Sequence, residues 1–194
     1  MKNKKYIYLL FGLLILAQLL VPLQMIFEQE NIIKTGKIFK FKTAPVDPSD
    51  PLRGKYIYLS FSSNTIIVKN SKNWKINQTL FATIITNKNG FAEIKAVSKK
   101  EPANQLDYLK LKINYINVAE NKISLNFPFD KLYMNEYKAL NAEDAYRQSN
   151  QKIQNNSCAV VAIKQGKSVL IDVLIDGVSV KNLNAKQLSK KQTQ

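Results

Sequence analysis

Residues 79–98 read TLFATIITNKNGFAEIKAVS, and they carry the clearest indication of the fold class. Two runs rich in apolar and β-branched residues, 79–86 and 90–98, flank the tetrapeptide Asn87-Lys88-Asn89-Gly90. Since an Asn-Gly pair tolerates the positive φ angles of a tight turn, the stretch predicts a β-hairpin.

Short alternating runs of the same kind lie on both sides of this hairpin. Because successive hairpins favour antiparallel pairing, the chain is predicted to be mainly β, a small antiparallel barrel or sandwich. Residues 141–153 have helical spacing and predict one short helix capped by Asn141. The other predicted strands are 37–42, with Phe39 and Phe41 on one face, 55–61, 65–69, 108–118, 122–127, 159–164, 168–175 and 178–180.

A segment of 22 uncharged residues, 6–27, precedes the β region. About 20 apolar residues cross the hydrocarbon core of a bilayer, so the segment predicts a transmembrane helix. Lys2, Lys4 and Lys5 precede it, which places the N-terminus in the cytoplasm and the rest of the chain outside. The alternative is a cleaved signal peptide, but no clear small-x-small cleavage site or lipoprotein cysteine follows, so a retained signal anchor is favoured.

The predicted organisation has five parts. Residues 1–5 form a basic cytoplasmic N-terminus and residues 6–27 the anchor that contacts the lipid bilayer. Residues 28–36 form a juxtamembrane linker, residues 37–183 the extracytoplasmic β-rich domain, and residues 184–194 a flexible basic tail.

The net charge of +15 is carried almost entirely by lysine, since only Arg53 and Arg147 are arginines. Arginine is the residue that reads phosphate and guanine in bidentate fashion, so nucleic acid is not expected as a partner. Abundant Lys, Asn and Ile are typical of an AT-rich genome. Weak attraction to anionic lipid or an envelope polymer is the second interpretation.

The sequence contains no histidine, which excludes His-based metal sites and Ser-His catalytic groups. The single cysteine, Cys158, opens an apolar run and is predicted to be a buried small hydrophobe. No cofactor, metal site or catalytic residue is assigned. The enzymatic alternatives that remain are a carboxylate pair and a Ser/Lys dyad.

A proline-rich loop separates the first two predicted strands. Pro45, Pro48 and Pro51 each fix φ and restrict the preceding residue, and two of those preceding residues are Asp47 and Asp50. The loop is therefore predicted to be a rigid platform that carries two carboxylates and Arg53. Presentation of these charges to a partner, clamping of the domain against its own anchor, turn formation, cation or ligand binding, acid–base catalysis and covering of a sheet edge are alternative roles for it.

Residues 44–61 read APVDPSDPLRGKYIYLSF and resemble the signature of the bacterial GDYXXLXY family. The family is named for Gly-Asp-Tyr-x-x-Leu-x-Tyr, which typically follows Ala-Pro-Val-Asp-Pro-x-Asp-Pro-Leu-Arg. The lead-in matches throughout, and Gly54, Tyr56 and Leu59 match the core. Lys55 replaces the family Asp and Phe61 the final Tyr, so a role that needs a carboxylate at position 55 is absent here.

The resemblance implies a single-pass protein of the bacterial cytoplasmic membrane with an outer β-rich, periplasmic domain. It also implies a multi-spanning membrane protein as partner, and no established activity. The hypothetical binding residues are Asp47, Asp50, Arg53, Gly54 and Tyr56. The expected function is a non-catalytic binding or accessory subunit of a membrane assembly; the alternative is an envelope-processing enzyme.

Overall fold

The structure is a computed structural model that describes residues 2–44, 56–102, 107–133 and 157–182. It begins with one long helix, α1 (Lys2–Thr35), and continues as β-strands. The strands are β1 (Lys37–Ala44), β2 (Tyr56–Tyr58), β3 (Ser60–Phe61), β4 (Thr65–Ile67), β5 (Thr79–Thr86), β6 (Ala92–Ser98), β7 (Tyr108–Asn117), β8 (Lys122–Asn126), β9 (Lys131–Tyr133), β10 (Ser157–Lys164), β11 (Lys167–Ile175) and β12 (Val178–Ser179). Short 3₁₀ turns occupy Ser71–Asn73 and Val180–Asn182.

Helix α1 contains the predicted apolar segment and is long and apolar enough to cross a membrane. Its most apolar 18-residue window has a mean hydropathy of 2.3, and none of that window is buried. The helix does not stop at Phe27. Residues 28–35, assigned to a linker from the sequence, continue the same helix as far as Thr35. Only Gly36 separates the helix from β1.

The predicted hairpins are confirmed as β5–β6, β7–β8 and β10–β11, all antiparallel. They are arranged in two five-stranded sheets with the orders β12-β11-β10-β1-β3 and β4-β8-β7-β5-β6. A two-stranded ribbon, β2-β9, completes the described strands. The prediction of a mainly antiparallel β fold behind one apolar helix is therefore confirmed, whereas the predicted helix over residues 141–153 lies outside the described residues.

The two sheets nearly close on each other. The turn between β10 and β11 meets β7, where the backbone N–H of Lys110 donates to the carbonyl of Gly166 at 2.9 Å. Along the other seam β1 contacts β6. Because the two sheets nearly close, few strand edges are left unpaired and the domain resembles a barrel.

Four phenylalanines pack together inside the barrel. Phe41 of β1 is completely buried, and its ring centroid lies 6.1, 5.5 and 5.1 Å from those of Phe61, Phe127 and Phe129. The edge-to-face and tilted arrangements of these rings are those that aromatic quadrupoles favour. Phe39 is buried beside them, as the alternation of β1 predicts.

The segment predicted as one strand over residues 55–61 is divided. β2 pairs with β9, whereas β3 pairs with β1, and the chain changes partner at Leu59. The Leu59 N–H donates to the carbonyl of Asp130 at 2.7 Å, which keeps this residue hydrogen-bonded through the change. Leu59 and Phe61 are both buried, so the predicted inward face is retained there.

Candidate functional site

The residues singled out from the sequence belong to the segment between β1 and β2. Asp47, Asp50, Arg53 and Gly54 lie outside the described residues. Tyr56 begins β2, and its backbone is paired with that of Tyr133 in β9. The structure therefore fixes where the chain enters and leaves this segment.

Both ends of the segment lie at the end of β1 that is remote from helix α1. β1 starts two residues after the helix and has eight residues, which span about 26 Å at 3.3 Å per residue. At its far end Ala44 pairs with Ser60, and the Thr43 hydroxyl donates to the carbonyl of Ser157 at 3.1 Å. The end of β1 at Ala44 and the helix junction thus lie at opposite ends of this strand.

A polar groove of about 480 Å³ opens beside this far end, between β1, the β3–β4 connection and the β5–β6 hairpin. The exposed Lys42 and Glu93 are the two charged residues that line the groove. The Glu93 carboxylate accepts a hydrogen bond from Asn87 Nδ2 at 2.7 Å. The Ser63 hydroxyl oxygen is enclosed and has no hydrogen-bond partner among the described residues. The remaining lining is Ser62, Thr65, Asn89, Phe91, Ala92 and Ile94.

Asn87 in this groove has a structural role. Its side-chain oxygen accepts from the N–H groups of Asn89 and Phe91 at 2.9 and 3.0 Å. These bonds close the Asn-Gly turn, in which Gly90 has a φ of 82°. Lys42 and Asn89 are exposed residues of the groove, so their side chains can reach a ligand there.

Within the described ranges, two of the arrangements considered from the sequence can be examined: a cluster of metal ligands and a Ser/Lys dyad. In the described ranges no three His, Cys, Asp or Glu side chains are grouped as metal ligands. No lysine there is buried, whereas a Ser/Lys dyad needs a desolvated lysine amine. The carboxylate-pair alternative rests on Asp47 and Asp50, which lie outside these ranges.

Cys158 is buried in the central strand β10, as predicted from its apolar run. Burial raises the pKa of the Cys158 thiol, and the Lys40 ammonium opposes this with a smaller effect. Since the thiolate is the reactive form, the side chain behaves as a packing group.

A polar contact between Tyr108 and Glu101 lies close to the turn that joins β10 to β11. The Tyr108 hydroxyl donates to the Glu101 carboxylate, and this bond together with burial raises the pKa of Tyr108 to about 12. Nearby, the Lys37 ammonium lies 2.6 Å from the Asp107 carboxylate. These contacts join the start of β1 to the start of β7.

The junction between α1 and the β domain is the feature that the sequence did not reveal. Lys167 forms an ion pair with Glu28, and Lys164 donates to Thr35 at 2.7 Å and to Asn31 at 3.3 Å. Between these polar contacts Ile32 is buried, with 6% of its surface exposed. The last two turns of the helix are thereby packed on the β10–β11 hairpin.

Gly36 makes this close approach possible. Its N–H donates to the carbonyl of Ile32 at 2.8 Å, and a Cβ at this position would lie 2.4 Å from the same oxygen. It would also lie 3.1 Å from the carbonyl oxygen of Ile163. The signal in the sequence was the spacing of Glu28, Asn31, Ile32 and Thr35, which places them along one side of a helix.

Fold and junction together define a class of protein: a nearly closed antiparallel β domain carried on one long apolar N-terminal helix. The chain belongs to the GDYXXLXY family, whose model, described as GDYXXLXY protein, matches residues 18–173. That match includes the C-terminal half of the helix and most of the β domain. No curated protein and no solved structure matches the chain.

Proposed function

We propose that the chain is a single-pass membrane protein with its β domain outside the cytoplasm, where it serves as a non-catalytic binding or accessory subunit of a membrane assembly. The observation that carries this proposal is the continuity of α1 from its apolar segment into the junction with β10–β11. The lysines before the apolar segment support the orientation, because basic residues are retained on the cytoplasmic side.

The junction holds the domain at a fixed height above the bilayer. Glu28 is the first charged residue after the apolar segment, and its ion pair with Lys167 brings the hairpin turn to the membrane surface. From Glu28 to Thr35 the helix rises by about 10 Å, all of it alongside the hairpin. A domain mounted in this way presents the same surface at the same height in every copy, which suits contact with another membrane protein.

The surface proposed for the partner is the end of the domain remote from the bilayer. It includes the polar groove lined by Lys42 and Glu93, and β1 ends at Ala44, directly before the segment that contains Asp47, Asp50 and Arg53. A cationic and an anionic side chain in one groove suit a polar protein surface, since complementary charges set specificity and orientation.

Cysteine labelling tests the topology. Tyr115 has 60% of its surface exposed in the β domain, and Lys4 precedes the apolar segment. A membrane-impermeant maleimide should label Tyr115→Cys in intact cells and Lys4→Cys only after lysis. The reverse pattern, or a mature protein that mass spectrometry finds to lack residues 1–27, would overturn the anchored topology.

Photo-crosslinking in native membranes tests the partner. A photoreactive residue at Asn89, in the groove, should form an adduct with one integral membrane protein, and Arg53→Ala should abolish the adduct. The matched control is a photoreactive residue at Ile76. This position is also exposed, but it precedes the first residue of β5, whereas Asn89 follows the last. Equal adducts from both positions, or an adduct unaffected by Arg53→Ala, would exclude this surface as the docking site.

A further inference from the structure

A glutamine side chain lies near the middle of the apolar helix. Gln18 is about 2 Å from the centre of residues 6–27, at 1.5 Å rise per residue. Its side chain is exposed, and its amide makes no hydrogen bond within the described part of the chain. Hydrocarbon offers no partner to such an amide, so a membrane-embedded Gln18 favours any contact that supplies a donor and an acceptor.

The face of the helix that packs on the β domain is centred away from Gln18, and its nearest member is Ile32, about 40° around the helix axis from Gln18. At 100° per residue, the residues that contact the hairpin (Glu28, Asn31, Ile32 and Thr35) are centred about 90° around the helix axis from Gln18. After the apolar segment, toward the β domain, Gln29 and Ile33 lie about 20° and 60° around the helix axis from Gln18. Gln29 is exposed and Ile33 is 40% exposed, in contrast to the buried Ile32. A second helix can therefore approach along this side.

We infer that Gln18 hydrogen-bonds to the Gln18 of a second copy of the chain in a parallel pair of membrane helices. This inference rests on the membrane-spanning part of the proposed function. A primary amide is both donor and acceptor, so two of them satisfy each other. Copies inserted in the same direction carry Gln18 at the same depth, and a two-fold axis brings the two amides together.

The neighbouring side chains suit such a pair. Phe11, Leu14, Gln18, Val21 and Met25 follow alternating spacings of three and four residues, which is the seam of a left-handed helix pair. One polar residue in such a seam fixes the register, since any shift leaves both amides without partners.

The β domains do not obstruct this arrangement. Because each domain is attached about 90° away from the Gln18 side, the two-fold axis places the two domains on opposite flanks of the helix pair. The docking geometry of the junction thus agrees with a parallel dimer.

Disulfide scanning of the full-length protein in native membranes tests the seam. In a Cys158→Ala background, Leu14→Cys and Val21→Cys should form dimers of twice the monomer mass on mild oxidation. Leu16→Cys, on the other side of the helix at a similar depth, should remain monomeric. Equal cross-linking at positions 14 and 16, or adducts with a different protein instead of a second copy, would overturn the inference.

The role of the amide is tested by energy transfer between labelled copies in lipid vesicles. Gln18→Leu should lower the dimer association constant by about 5- to 30-fold, the effect of an interhelical hydrogen bond between model membrane peptides. Gln18→Asn should keep most of the wild-type association constant, because it also carries a primary amide. Gln24→Leu is the matched control, because it removes the other glutamine of the apolar segment and should leave the association constant unchanged.

Alkaline extraction distinguishes the two proposals. If the protein stays in the membrane but Gln18→Leu dimerises like the wild type, the inference fails and the anchored topology stands. If the protein is released into the soluble fraction, both fail, because Gln18 is then not in hydrocarbon.

Discussion

At the scale of single residues, the packed phenylalanines and the contacts of Tyr108 tie together segments that are distant in the sequence. Phe41 packs against Phe127 and Phe129, more than 80 residues later in the chain. Tyr108 contacts Glu101, and a Cβ on Gly166 would touch its ring. Substitutions at these positions report on the barrel directly.

Phe41→Ala should lower the free energy of unfolding by about 3–5 kcal/mol, because it removes a completely buried ring and leaves a cavity among three others. Thermal or chemical unfolding of the purified protein measures the loss. Tyr115→Ala, at a position that is 60% exposed, is the control and should change the stability by less than about 0.5 kcal/mol. Similar losses for both variants would contradict the burial of Phe41.

Tyr108 gives a pH-dependent prediction. Its pKa in the folded protein is raised to about 12, whereas an unfolded tyrosine titrates near 10. The unfolded state therefore loses the proton first, and this contribution to stability is complete below about pH 10 and is lost as the pH rises to about 12. The stability of the wild type should fall over this range more steeply than that of Tyr108→Phe.

The ultraviolet absorbance of ionised tyrosine measures the same pKa. The difference between the titrations of wild type and Tyr108→Phe isolates this one phenol. Glu101→Gln should lower the titration midpoint of Tyr108 toward 10, because the group that accepts the hydrogen bond from the phenol then carries no negative charge. A midpoint already near 10 in the wild type would show that the bond is absent.

At the scale of elements, two of the hairpin turns contain a glycine with a positive φ angle, but the surroundings of the two glycines differ. Gly90 and Gly166 have φ angles of 82° and 79°, in the left-handed region that disfavours side chains. A Cβ on Gly90 would meet nothing within 4 Å, whereas one on Gly166 would lie 2.7 Å from Tyr108 Cε2. The β5–β6 turn is thus open, and the β10–β11 turn is packed against β7.

Gly90→Ala should cost about 1–2 kcal/mol, from backbone strain alone. Gly166→Ala should cost more, because the same strain is joined by a contact that forces Tyr108 to move. Unfolding experiments on the two variants give the comparison. Equal losses would mean that the β10–β11 turn does not lie against Tyr108.

At the scale of the whole molecule, the junction decides whether helix and β domain move as one body. Ile32 is its buried apolar contact, and the neighbouring Ile33 is 40% exposed. The polar contacts beside Ile32, such as the Lys167–Glu28 pair, are exposed and contribute less than about 1 kcal/mol each. Burial of Ile32 is therefore the main stabilising contact of the junction.

Ile32→Asp should release the helix end from the hairpin, because it places a carboxylate in an apolar contact. Hydrogen exchange should then increase over residues 28–36, where the Gly36 N–H normally donates to Ile32, while the β5–β6 hairpin keeps its protection. Ile33→Asp is the matched control and should leave exchange unchanged. Increased exchange throughout the domain would instead mean that the junction is part of the folding core.

Much of the fold could be predicted because its signals are local. Alternation with a period of two located most strands, the Asn-Gly pair located a turn, and an uncharged apolar segment located the helix. The prediction of one strand over residues 55–61 was wrong, because the exchange of partners at Leu59 depends on strands far along the chain. The linker predicted over residues 28–36 is helical as far as Thr35. The binding roles of Asp47, Asp50, Arg53, Gly54 and Tyr56 stay predictions.

The β-rich class, the apolar helix, the absence of histidine chemistry and the family motif can all be read from the sequence, because each depends on residue type and short-range spacing. The near closure of the sheets and the attachment of the helix to the β10–β11 hairpin are visible only in the folded protein. Both depend on contacts between residues far apart in the chain: Glu28 and Lys167 are 139 residues apart, and no local pattern specifies that they meet. The proline-rich motif names the family, and the junction determines how the domain is mounted on its helix.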